Sequence, residues 1–271
     1  MSKALRYAII ILLVAGLAVC IYLAASDIIQ KHKSQDTYTD AAETYTIDVP
    51  KTPGDIQEDI VEGTDAEGGE SPVEVVSPSA GAAPITVDFD ALLAAAPDVV
   101  GWIWCEGTDI NYPIVQGDDD AFYLTHDYLG RRSSAGSIML FSHSSPDFSD
   151  PNSLIYGHRM KNGTMFADVA DWFTPGFYEK HPSFWIITPE GAWRADIFAA
   201  YETWEFSETY TQFLTRGTIF KEYLDAAAAK SIFTADVELD VDSNYIVLST
   251  CKHATGSERL VIHAKLIPAG E

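Results

Sequence analysis

The sequence predicts a mainly β domain, a barrel or sandwich with helical insertions, standing behind an apolar N-terminal segment. Three observations predict it. Short apolar stretches recur with turn chemistry between them: INYPIVQ, SIMLFS, FWIITP, AWRADIFAAYETW, NYIVLSTC and RLVIHAKLI, separated by segments such as GDDD and SSPDFSDPN. One interior stretch, TIFKEYLDAAAAK, is rich in good helix formers. Strand-like and helix-like stretches do not alternate, which argues against a parallel α/β fold.

In chain order, residues 7–25 (YAIIILLVAGLAVCIYLAA) carry no charge, close to the roughly 20 apolar residues a membrane-spanning helix needs. Lys3, Arg6 and the terminal amine precede this run and Asp27 follows it, which favours a cytoplasmic segment at 1–6 and an exported remainder, although Lys31 and Lys33 weaken the bias. A cleaved signal peptide would have an apolar core of only about 7–15 residues, and Leu23-Ala24-Ala25 fits an A-x-A cleavage site poorly. The run therefore reads as an uncleaved, single-pass signal-anchor. Residues 26–84 hold thirteen acids against three bases, with Gly, Pro, Ser and Thr interspersed. Such a segment buries little apolar surface and self-repels, so an extended acidic stalk is expected there.

The domain proper is expected over 85–271. Asp88 is a candidate N-cap for a short helix to about Ala96, stopped by Pro97. FWIIT and WRADIFAAY flank Pro189-Glu190-Gly191 as a hairpin. The one substantial helix is expected at Thr218–Lys230.

Forty acids face seventeen bases, for a formal charge of −23. No basic patch exists that displaces counterions, so nucleic acid is excluded as a partner. The charge is compatible with an amine-bearing partner, but net charge bears on association and solubility, not on chemistry. The three cysteines are Cys20, Cys105 and Cys251. Cys20 lies in the apolar run, and Cys105, beside Trp102 and Trp104, reads as a small buried hydrophobe.

Three groups of residues offer chemistry. Cys251 closes the apolar strand YIVLSTC ahead of a polar loop, and a strand end beside a loop holds a nucleophile rigidly at a surface. A thiol attacks as thiolate and needs a cation or imidazolium nearby. His158 follows Gly157, whose missing Cβ allows an unusual backbone path, and histidine is the natural proton partner near neutral pH. The other six histidines, at 32, 126, 143, 181, 253 and 263, leave that choice open on position alone. Arg259 opens the strand RLVIHAKLI, and the loop back from Cys251 is short enough for an antiparallel return. Its guanidinium would favour the thiolate and donate to a carbonyl oxygen gaining charge; alternatively it is a surface arginine paired with Glu258 or Asp242.

Leu248-Ser249-Thr250-Cys251 followed by Arg259 resembles the sortase T-L-x-T-C…R arrangement, with Val247 in the first position. The run from Asp147-Phe148-Ser149-Asp150 through Ile155-Tyr156-Gly157-His158 to Met165-Phe166 is similar to the histidine segment of class B sortases. So are Pro97-Asp98-Val99-Val100-Gly101-Trp102-Ile103, Tyr123-Leu124-Thr125-His126 with Ser134-Ala135-Gly136-Ser137, and Val261-Ile262-His263-Ala264-Lys265-Leu266. Leu140-Phe141-Ser142-His143 departs from the aspartate and basic residue of many relatives. The resemblance spans residues 87–267.

That resemblance implies an eight-stranded sortase barrel with an N-terminal helical appendage and a helix inserted between late strands. It implies a catalytic Cys-His-Arg group at Cys251, His158 and Arg259, with Ser249 and Thr250 as substrate-binding positions, and no cofactor or metal. The implied activity is that of a cysteine transpeptidase. The thiolate cleaves the C-terminal sorting signal of an exported protein and passes the new carboxyl to an amine of peptidoglycan or of a pilin. The implied setting is the cell membrane of a Gram-positive-type envelope, with the catalytic domain outside. A papain-type cysteine protease would instead carry its cysteine on a helix near the start of the domain, and a non-catalytic surface-binding module would need no thiol.

Overall fold

The structure is a computed structural model that describes residues 3–49, 81–253 and 256–270, with the side chains of 3–11, 27, 28, 30 and 31 left aside. The expected turn signals deliver strands. β3 (Val99–Trp104), β4 (Asn111–Val115), β5 (Ile138–Leu140), β6 (Asn152–Tyr156), β7 (Ser183–Thr188), β8 (Gly191–Trp204), β9 (Tyr245–Cys251) and β10 (Glu258–Pro268) close into one barrel in the order β10-β8-β7-β3-β4-β5-β6-β9. The β4–β5 and β6–β9 neighbours run parallel, and the other neighbouring pairs antiparallel. Mainly β, closed and eight-stranded is the architecture the sequence and its resemblance lead to. The hairpin across residues 189–190 forms with Thr188 opposite Gly191.

Helix α2 (Phe89–Ala95) starts where expected: the Asp88 carboxylate accepts from the Ala91 N–H at 3.0 Å, the side-chain bond that caps a helix N-terminus. Helix α3 (Thr218–Lys230) lies between β8 and β9 and turns Phe220, Leu224 and Ala227 inward. This apolar face covers part of the outer barrel wall, against Phe198, Tyr201, Tyr245, Val247 and Val261. A separate core fills the barrel interior around Ile103, Ile138, Ile186, Ile246, Leu248 and Ile262.

The N-terminal region differs from the expected stalk. Helix α1 runs from Lys3 to Tyr45, followed by β1 (Thr46–Asp48), which pairs antiparallel with β2 (Ile85–Val87). Tyr38 and Ala41 are buried, the Tyr38 hydroxyl donates to the Gly136 carbonyl, and Ser34 exchanges a 2.8 Å hydrogen bond with Ser133. The acidic composition of 26–49 conceals the spacing of Tyr38, Ala41, Ala42 and Tyr45, which makes one narrow apolar helix face. A docked helix needs only that face, whatever its other sides carry. The rest of the expected stalk, 50–80, lies outside the described residues. Among the described residues no helix is long and apolar enough to cross a membrane, and the side chains of 7–11, within the expected span, are not among those described. Leu12, Leu13, Val14, Leu17, Val19 and Leu23 are exposed along α1.

Candidate active site

Barrel closure sets β6, β9 and β10 side by side, with β9 in the middle. Tyr156 pairs with Ser249 across β6 and β9; two residues on, β9 reaches Cys251 and the segment leaving β6 reaches His158. On the other side Arg259 is directly opposite Cys251 in the antiparallel register, and side chains directly opposite share a face. Cys251 and Arg259 therefore stand side by side at one barrel rim, on neighbouring strands about 4.8 Å apart, and His158 lies just past the end of β6 on the other side of β9. The face is the outer one, continuous with the Val247 and Val261 positions that α3 covers.

Hydrogen bonds at Gly157 and Arg159 tie the segment that carries His158 to β9 and the residue after it. Thr250 Oγ1 donates to the Gly157 carbonyl at 2.8 Å, and the Gly157 N–H donates to the Ser249 carbonyl at 3.2 Å. Beyond His158, Arg159 Nη1 donates to the Lys252 carbonyl at 2.5 Å. Gly157 is needed for space and not for an unusual backbone path, since its φ is not positive. A Cβ there would lie 2.5 Å from Ile138 Cδ1 and 2.7 Å from Phe166 Cδ2.

The half-buried His158 ring places Nε2 2.8 Å from the Leu124 carbonyl. A carbonyl oxygen only accepts, so Nε2 carries the hydrogen and Nδ1 is the nitrogen left to exchange a proton. The other histidines in the domain are engaged elsewhere. His126 stacks on Phe122, His143 and His181 bond to Ser142 and the Glu106 carbonyl, and His253 faces Glu258 at 3.6 Å. His263 is fully buried against Tyr201, and burial pushes its pKa down to about 3, so it stays neutral.

All three cysteines are free. Cys105 is buried, as the sequence suggests, and burial pushes its thiol up to about 12, far from a usable thiolate. Cys251 is partly open at the rim. Arg259 pairs with neither Glu258 nor Asp242 through a carboxylate. Its Nη2 meets Glu205, while Nη1 donates to the carbonyls of Gly256 (2.9 Å) and Glu258 (3.1 Å). Of the five guanidinium N–H donors, Nε–H and one on Nη2 have no acceptor among the described residues.

The two positions expected to touch substrate are covered. Ser249 is 3% and Thr250 2% exposed; Tyr210 lies over Ser249 with a 2.9 Å hydroxyl contact, and Thr250 points into the barrel toward Gly157. In this conformation both are buried parts of the architecture, because strand alternation sends 250 inward and an aromatic lid covers 249. Two residues that sequence reasoning passed over belong to the rim. Tyr210 stacks on Tyr156 and is electrostatically coupled to Cys251 and Arg259, and Glu205 holds the arginine. Both come from the connection after β8, remote in sequence from the cysteine, and no local pattern marked them.

A family model for the sortase domain matches residues 103–267. The chain belongs to the sortase family. It is 37% identical over 173 residues to sortase B of Listeria monocytogenes, covering 63% of this chain and 70% of that protein. It is 30% identical over 181 residues to sortase B of Staphylococcus aureus, covering 66% and 74%. Among solved structures, a Staphylococcus aureus sortase B–substrate complex superposes with TM-score 0.64 at 30% identity, over 67% of this chain and 85% of that one. The sortase B of Bacillus anthracis superposes with TM-score 0.69 at 25% identity, over 89% and 99%. The chain is thus a class B sortase, a cysteine transpeptidase. Membership removes the papain-type and non-catalytic alternatives, as does the placement of Cys251 on a late barrel strand.

Proposed function

We propose that this sortase cleaves the C-terminal sorting signal of an exported protein and joins the new carboxyl to an amine of peptidoglycan or a pilin, with Cys251, His158 and Arg259 as its catalytic group. The observation that supports the residue assignment is that Arg259 on β10 is directly opposite Cys251 on β9, while His158 follows the end of β6 on the other side of β9.

The Cys251 thiolate attacks the carbonyl carbon of the signal's threonine, forming a C–S bond. The oxyanion that results accepts from the two uncommitted Arg259 donors, which gain strength as charge develops. His158, as imidazolium, gives its Nδ1 proton to the departing amine as the C–N bond breaks, leaving a thioacyl enzyme. The incoming amine then attacks the thioester and loses its proton to Nδ1. The new C–N bond forms as the C–S bond breaks, and the thiolate returns. The uncharged run at 7–25 supports single-pass membrane anchoring with the barrel outside, and sedimentation of the full chain with vesicles, against a chain lacking residues 1–25, tests it.

Incubation with a panel of threonine-containing C-terminal peptides, followed by intact mass, tests the chemistry. A thioacyl adduct on Cys251, absent in Cys251→Ala, is expected. Cleavage that survives in Cys251→Ala overturns the mechanism.

A further inference from the structure

We propose that Glu205 is a positioning residue for the transfer reaction, its carboxylate fixing the Arg259 guanidinium beside Cys251 and locking the return from β9 to β10 onto the β8 rim. The inference rests on the role given above to Arg259.

Glu205 follows the last residue of β8, the strand that pairs with β10 on the side away from β9. Its two carboxylate oxygens do different work. One accepts from Arg259 Nη2; the other accepts from Ser257 Oγ at 2.8 Å. Its own N–H donates to the Ser257 carbonyl at 2.9 Å, so main chain and side chain grip the return together. The neighbouring cation does not compete, because Lys252 is taken by Glu202 at 2.6 Å and Glu258 at 3.4 Å. The Arg259 and Glu205 side chains are 19% and 30% exposed, so their bond is partly shielded from water and stronger than a surface pair. Arginine carries many rotamers, and one carboxylate plus two carbonyls select the one that leaves Nε–H and an Nη2–H without an acceptor among the described residues. A fixed donor stabilises a developing oxyanion without reorganising, which is where its catalytic effect lies.

The carboxylate also has an opposing effect. Its negative charge near the rim offsets part of the arginine's stabilisation of the thiolate. Glu205→Gln, which keeps shape and loses charge, is therefore expected to move two readouts in opposite senses. The pH midpoint for iodoacetamide alkylation of Cys251 falls, while kcat on the fastest-cleaved peptide of the panel drops about tenfold with KM nearly unchanged. A purely structural role would lower activity without acidifying the thiol. Glu205→Asp, which keeps the charge on a shorter stem, is expected to retain an intermediate kcat and the wild-type alkylation midpoint; it carries the test if the Gln variant melts early.

The full chain with Arg259→Ala separates the two ideas. If Arg259→Ala leaves kcat unchanged, the reading of the arginine fails, and that of Glu205 with it. If Arg259→Ala lowers kcat but Glu205→Gln does not, the Glu205 proposal alone fails. If Glu205→Gln costs as much in the Arg259→Ala background as in the wild type, it acts on the fold and not through the arginine, which also overturns the proposal.

Discussion

The outer wall of β9 and β10 has two ends of opposite character. At one end Tyr245, Val247, Val261 and His263 lie sealed beneath α3 and Tyr201. At the other, two to four residues further along the same alternating face, Cys251 and Arg259 emerge into a polar rim beyond the covered Ser249. The same strands thus hold a histidine that cannot take a proton and, beside them, one that keeps a nitrogen free. The cysteines repeat the contrast: Cys105 is sealed in the interior core, and Cys251 is partly open. What covers a side chain decides its chemistry here, not its type or its strand. Burial away from any opposite charge disfavours the charged form of either group.

Five variants break or sharpen this comparison. The largest effect is expected from exchanging the cysteines' fates: Cys251→Ala reduces thioacyl formation to the limit of detection, while Cys105→Ala leaves turnover within about threefold, since only a buried packing atom is lost. Iodoacetamide followed by peptide mapping reads the same contrast, with Cys251 labelled and Cys105 spared in the folded chain.

Gly157→Ala comes next. The added methyl meets Ile138 and Phe166 well inside contact distance, and such overpacking costs roughly 1–3 kcal/mol. A lower melting temperature is expected together with a fall in kcat, because the displaced residue immediately precedes His158. Unchanged kcat in a destabilised variant would show that the imidazole is placed by the Leu124 carbonyl alone.

Thr250→Val keeps the shape and removes the hydroxyl that donates to the Gly157 carbonyl. Leaving that buried acceptor unmatched costs about 1–3 kcal/mol, measured by denaturant midpoint. The effect is expected in stability first and in activity second, the reverse of the order for a residue that contacts substrate.

The smallest effect concerns the sealed end. His263 is held neutral in the fold by burial, with a pKa near 3, and by the nearby Lys230 charge; the unfolded chain binds a proton near pH 6.5. Below that value the unfolded state holds more protons than the fold, so His263 withdraws stability as pH drops from about 6.5 towards 3. His263→Gln is expected to flatten that part of the stability profile relative to wild type. An unaltered profile would mean that the site is wet.

Much of this molecule is legible from the strands alone. The apolar segments mark the barrel strands, Asp88 marks the start of α2, and the composition of TIFKEYLDAAAAK marks α3 to the residue. These are local signals of periodicity and capping, carried by neighbouring residues. The docking of α1 was hidden because its last turns open a long polar, acid-rich stretch, while only four apolar positions make the buried face. The return from Cys251 to Arg259 was legible because a short polar loop between two apolar strands closes only antiparallel.

By itself, then, the sequence determined the strands, the inserted helix and the cysteine at a strand end, and its ordered resemblance across the domain suggested the Cys-His-Arg grouping proposed above. Only the tertiary structure decided that Gly157 serves space, that Thr250 turns inward, that Tyr210 covers Ser249, and that Glu205 and not Glu258 or Asp242 holds the arginine. The reason is physical. A strand's period fixes which residues share a face, but what lies over that face comes from elements distant in the chain, brought there by closure of the barrel.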